Sequence, residues 1–127
     1  MGSLWVGLGA VGGFLSVAIG AFGAHALKSH LGVDALVIFK TATEYQFWHS
    51  LALVLYGLSG SSRRLPGWAF VTGIVLFSGS LYVLALTGVR AWGAVTPFGG
   101  LAFLVGWAVF AWEGFRSWKT SAKRKPR

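Results

Sequence analysis

From residue 4 to residue 27 the chain runs for about 24 residues without a single Lys, Arg, Asp or Glu. At about 1.5 Å per residue a helix of that length exceeds the ~30 Å hydrocarbon core of a bilayer. Backbone N–H and C=O groups in lipid must be satisfied within the segment, and a helix does this unaided. Three more apolar stretches come after it, at about 41–58, 68–87 and 97–115, before a basic tail at 116–127. The sequence therefore predicts an all-α protein, one domain over residues 1–127, built as an integral membrane four-helix bundle. Composition agrees: 55% of residues are hydrophobic and 11% are charged, against about 25% charged in soluble domains. Such a chain cannot cover a water-facing surface. A cleaved signal peptide ending at Ala24-His25-Ala26 fits poorly, because no Lys or Arg precedes the run and the run is too long.

The connections set the expected orientation. Eight Lys and Arg fall at the 59–66 turn and the tail, and three fall in the 28–40 and 88–95 segments. By the positive-inside rule both termini are cytoplasmic. Trp5, Trp68 and Trp118 then lie at the inner headgroup level and Trp92 at the outer one. The 28–40 segment reads either as an interfacial turn or as an outer extension of the second helix, with Asp34 as a candidate N-cap. Thr96-Pro97 reads as an N-cap with proline at the first helical position.

Glycine spacing predicts how the helices meet. Gly12, Ser16, Gly20 and Ala24 recur every four residues, and Gly9, Ser16 and Gly23 every seven. Small side chains let helices in lipid approach closely and gain dispersion contacts. Gly9, Gly12, Ser16, Gly20 and Gly23, with Gly79 and Gly106 in later helices, are the expected packing positions.

The second stretch, TATEYQFWHSLALVLYGL, is apolar enough to lie in a membrane yet holds Glu44, Tyr45, Gln46 and His49. An ionisable group there is costly, so it calls for a role. At about 100° per residue, Thr41, Glu44, Tyr45, Trp48, His49 and Tyr56 share one arc, opposite Phe47, Leu51, Val54 and Leu58. His25 and Arg90 approach the same outer end, completing a candidate polar cluster. One reading is a buried clamp in which Glu44 pairs with Arg90, Lys40 or His25 and His49 bonds across helices. The other is a proton-responsive or ligand-binding site at Glu44 and His49. The clamp is favoured, since polar side chains commonly tie membrane helices together.

Other chemistry finds little footing. No H-E-x-x-H, G-x-S-x-G or Walker pattern is present, so no catalytic residue, metal or cofactor is expected and the protein is not read as an enzyme. Basic residues concentrate in the tail rather than on a folded face, which argues against nucleic acid. The tail holds the C-terminus inside and offers charge to anionic lipid. Glu113 is expected to pair with Arg116 or Lys119. The expected partners are the lipid bilayer and either a second copy or a larger membrane complex.

Several motifs occur in order: Gly20-Ala21-Phe22-Gly23-Ala24-His25, Tyr45-Gln46, His49-Ser50-Leu51-Ala52-Leu53, Gly79-Ser80-Leu81-Tyr82, Thr96-Pro97-Phe98-Gly99-Gly100 and Gly106-Trp107. Together they resemble the YgdD-type inner-membrane proteins, a bacterial family of unknown function with small mitochondrial relatives. The resemblance covers nearly the whole chain. It implies a multi-pass inner-membrane location and marks His25, Tyr45, Gln46, His49, Tyr82, Thr96 and Pro97 as motif positions. It supplies no activity. Two functions stay open: a structural or accessory membrane protein acting through helix contacts, or a small transporter or channel using Glu44 and His49.

Overall fold

Small residues decide where this chain's backbones meet, and four helices pack accordingly. In the computed structural model, which describes residues 1–124, the helices are α1 (Gly2–Leu27), α2 (Val33–Leu58), α3 (Leu65–Thr87) and α4 (Thr96–Lys123). No strand occurs among the described residues. α1 and α3 each contain one π turn, at Ile19–Gly23 and Ile74–Ser78. A 3-10 turn at Arg90–Ala94 leads into α4.

Three of the four helices, α1, α3 and the segment ending in α4, are long and apolar enough to cross a membrane. α2 has the length but not the average apolarity, contrary to the sequence reading of 41–58. Its polar residues are the reason, and the fold turns them inward. Thr43, Gln46, His49 and Ser50 are buried, while Phe47, Trp48, Leu51, Leu55 and Leu58 face outward.

Helix limits differ from expectation at α3 and α4, and at α2 one of the two readings of 28–40 holds. α2 begins at Val33, so 33–40 is an extension of that helix and only 28–32 forms a turn. Gly32 is the N-cap, and Asp34 lies inside the first turn, where its charge complements the helix dipole. α3 starts at Leu65, with Pro66 in its first turn. α4 continues to Lys123, because no proline interrupts it and a basic C-terminal turn suits the dipole. Most of the expected tail is therefore helical; its last three residues, 125–127, lie outside the described residues. Gly88 ends α3 in the left-handed conformation (φ 70°), its N–H donating to the Leu84 carbonyl at 2.8 Å.

The helices pack as two antiparallel hairpins. In the α1–α2 hairpin, glycine meets backbone. A Cβ on Gly2 would stand 2.6 Å from the Gly57 carbonyl oxygen, and one on Gly9 2.6 Å from that of Ser50. One on Gly12 would strike Ser50 Oγ. Further out the pair opens: Gly23 faces the Phe39 ring at 3.3 Å, and Gly20 makes only ordinary contact with the Thr43 side chain at 3.7 Å. In the α3–α4 hairpin one antiparallel register pairs Phe70 with Gly106, Phe103 with Gly73 and Phe77 with Gly99: the Phe70 and Phe103 rings sit over their glycines, whereas a Cβ on Gly99 would strike the Phe77 backbone. Gly79 is a correction. Nothing lies within 4 Å of its Cβ position, because Ser78 and Ser80 on either side of it are the residues that face the neighbouring helices.

Trp5 is a second correction. It is not a headgroup anchor but is fully buried, packed on Gly67 and edge-to-face with Trp68 at 5.2 Å. It joins Leu53, Tyr56, Phe70 and Phe103 in the core between the hairpins. Trp68, Trp92 and Trp118 are exposed.

Candidate functional site

The polar residues of α2 divide into two groups. Gln46, buried, reaches both neighbours: its Nε2 donates to the Gly12 carbonyl of α1 at 2.9 Å, and its Oε1 accepts from the Tyr82 hydroxyl of α3 at 2.6 Å. Glycine at 12 is what lets this carbonyl come within reach. Ser16 of α1 donates to the Thr43 carbonyl, and Ser78 of α3 donates to the Ala42 carbonyl, each at 2.7 Å. Two adjacent carbonyls of α2 thus accept from opposite sides. Ser78 is the last residue of the π turn of α3.

His49 connects α2 to α4. Its Nδ1 lies 2.7 Å from the Tyr45 carbonyl, which can only accept, so Nδ1 carries the proton. Nε2 is then free to accept the Trp107 indole N–H at 3.1 Å. This describes a neutral imidazole in a fixed tautomer. The ring stacks on Phe103 with centroids 3.5 Å apart, and Tyr45 stacks on Phe77 at 4.4 Å. A groove of about 630 Å³ runs along this α2–α4 seam, walled by Tyr45, Trp48, Phe103 and Trp107.

Glu44, His25 and Arg90 are not brought together. Glu44 lies on the flank of α2, its side chain 43% exposed, beside the 75% exposed Lys40 at 3.8 Å. Beside it runs a shallow groove shared with Ser16, Val17, Phe47 and Trp48. His25 and Arg90 are exposed, and no ion pair joins either to Glu44 among the described residues. Of the three partners expected for Glu44 only Lys40 is paired with it among the described residues, and the expected buried clamp is corrected to an exposed i,i+4 pair. The physical reason is helix rotation. The face that α1 and α3 cover is centred on 39, 42, 46, 49 and 53, which leaves 44 and 48 at its edge. No group of three or more metal-ligating side chains gathers among the described residues.

Sequence reasoning missed the partners more than the residues. Trp107 and Tyr82 stood among the family motifs, but nothing in spacing assigned them to His49 and Gln46. Gly2, Gly57 and Gly67 were missed as close-approach positions. Gly2 could have been found, since it extends the seven-residue series of Gly9, Ser16 and Gly23. Thr96 does not cap α4; its hydroxyl pairs with that of Ser80 at 2.6 Å. Glu113 pairs with Arg63, 3.4 Å away in the 59–64 connection, rather than with a residue of its own helix.

Residues 19–100 match the family model described as protein of unknown function (DUF423). The UPF0382 membrane protein of Staphylococcus saprophyticus is 42% identical over 113 residues, covering 86% of this chain and 94% of the relative. The UPF0382 inner membrane protein YgdD of Escherichia coli K12 is 46% identical over 107 residues, covering 79% of this chain and 80% of the relative. A Staphylococcus epidermidis relative is 46% identical over 106 residues, covering 80% of this chain and 87% of the relative. No solved structure matches this chain. With relatives this similar over most of their length, and with three helices apolar enough to cross a membrane, the chain belongs to the DUF423 (UPF0382) family of membrane proteins, whose function is unknown.

Proposed function

We propose that the protein is a multi-pass structural or accessory membrane protein, non-enzymatic, that works as a preassembled four-helix transmembrane unit with both termini cytoplasmic. One observation carries this reading: the polar groups of α2 are spent on neighbouring helices. Gln46 ties α1 to α3, His49 holds α4 through Trp107, and Ser16 and Ser78 clasp α2 from two sides. Such bonds contribute about 0.6 kcal/mol each on average in membrane proteins. Several together favour one arrangement over alternatives. The outward residues Phe14, Phe22, Leu55, Phe98 and Leu104 suit lipid or another membrane helix.

Charge supports the orientation. The approach of Gly2 to Gly57 and the Arg63–Glu113 pair gather the N-terminus, the 59–64 turn and late α4 at one end. Arg63, Arg64, Arg116, Lys119, Lys123 and Arg124 belong to that end. α2 crosses with the others because its polar face is covered by them. Topology reporters fused after Leu27 and after Thr87 should read external, and those after Leu58 and at the C-terminus cytoplasmic. Purification in mild detergent tests the role itself. An accessory protein should bring a stoichiometric membrane partner. A homo-oligomer with a water-accessible cavity at Glu44 and pH-driven substrate flux in proteoliposomes would reject the reading in favour of transport.

A further inference from the structure

A second polar centre lies at the end that holds the 59–64 connection, apart from the α2 network. There the Tyr56 hydroxyl donates to the Arg63 carbonyl, and Ser61 Oγ accepts the Arg63 N–H at 3.2 Å, so the turn is pinned from both sides. Glu113 projects from α4 with its side chain only 14% exposed. Both of its oxygens are screened from solvent, and no hydrogen-bond donor reaches them among the described residues. Arg63 Nε, 3.4 Å from Oε1, is the nearby cation, and the Arg63 side chain is half exposed. Between the turn and α4 opens a cleft of about 640 Å³, lined by Ser62, Arg63, Phe110, Glu113, Arg116 and Ser117 among others.

We propose that this cleft binds the phosphate of a singly anionic phospholipid headgroup, with Arg63 and Arg116 as the gripping residues and Glu113 as a positioning residue for Arg63. Two guanidiniums and one carboxylate leave the lining with one net positive charge, which one phosphodiester neutralises. Guanidinium forks match phosphate oxygens in geometry, and the serine hydroxyls can donate to the same oxygens. The volume falls within the range of about 300–1,000 Å³ typical of small-ligand sites. Phe110 supplies an apolar wall beside the polar lining. Basic pockets at the cytoplasmic ends of membrane helices take anionic headgroups for this reason. A zwitterionic headgroup would add a cation to a lining whose one carboxylate already faces Arg63. A buried carboxylate without donors is costly unless its charge serves a neighbour, and here it holds Arg63 at the mouth of the cleft.

The inference rests on the proposed orientation for placing this cleft at the headgroup level, and the reporter fusions test that separately. The site itself is tested by native mass spectrometry of the full chain in mild detergent, titrated with phosphatidylglycerol, phosphatidylcholine or inorganic phosphate. One phosphatidylglycerol should bind ahead of further adducts, and phosphatidylcholine more weakly. Arg116 has no ion pair among the described residues and is exposed, so Arg116→Gln should fold normally and weaken that first binding roughly tenfold, the loss of one charge-assisted contact. Arg63→Gln should do the same or more. Glu113→Gln removes a negative charge, yet should also weaken binding if Glu113 positions Arg63; tighter binding would overturn that role. The combined Lys119→Gln and Lys123→Gln variant should retain the first site. Inorganic phosphate competing as well as the lipid would keep the chemistry but assign a free phosphate source. Equal binding of both lipids, or an unchanged Arg116→Gln, would overturn the site.

Discussion

The two hairpins use glycine in two different ways over most of their length. Between α1 and α2 glycine removes bulk so that backbone can meet backbone: Gly2 against Gly57, Gly9 against the Ser50 carbonyl, Gly12 where Gln46 takes a carbonyl. Between α3 and α4 glycine is a socket at Gly73 and Gly106, each filled by a phenylalanine ring from the partner, while Gly99, set against the Phe77 backbone, repeats the mode of the first hairpin. The first contact brings helices close enough for side-chain-to-carbonyl hydrogen bonds. The second holds them through dispersion against a large flat surface. In lipid, where apolar surface gains nothing from leaving water, both are ways to obtain close packing. They should differ in how they fail, because a backbone cannot step aside and a ring can.

Gly9→Ala should therefore have the largest effect. Its methyl would meet the Ser50 carbonyl and the Val54 backbone N within 2.9 Å. We expect a loss of about 2–3 kcal/mol, at the upper end of overpacking costs, read as a lowered unfolding midpoint in detergent. Gln46→Leu should come next, at about 1–2 kcal/mol, because it strands the Tyr82 hydroxyl and frees the bond to Gly12. Adding Tyr82→Phe should recover part of that loss; a double mutant as unstable as the sum would mean the two side chains are not coupled. Gly106→Ala meets the Phe70 ring at 2.7 Å. A modest ring shift, offset by alanine's better helix propensity, should hold its cost to about 1 kcal/mol. Should Gly106→Ala cost as much as Gly9→Ala, the distinction between backbone and ring contacts would fall. Glu44→Gln should be the mildest, within about 0.5 kcal/mol, as expected for an exposed pair. A drop of several kcal/mol in thermal unfolding would restore Glu44 as a buried clamp.

Periodicity and charge alone determined that this chain is helical, that it carries four long helices and roughly where they lie. These features repeat locally, and a helix or an apolar run can be recognised without knowing its neighbours. The seven-residue spacing of Gly9, Ser16 and Gly23 likewise announced a packing face, since residues that recur at that interval share one side of a helix. The tertiary structure decided which polar residue meets which partner. A wheel drawn on α2 alone puts Glu44 and His49 in one arc, and only the placement of α1 and α3 shows that the covered face is centred on Gln46 and His49. It also moved Trp5 from the surface to the core, and matched Glu113 with Arg63 across a turn. The π turns at Ile19–Gly23 and Ile74–Ser78 add a residue to the helical count and rotate the remainder of each helix. That rotation is invisible to a fixed 3.6-residue period, and Ser78, the last residue of the second π turn, bonds to α2 while the Cβ position of Gly79 faces open space.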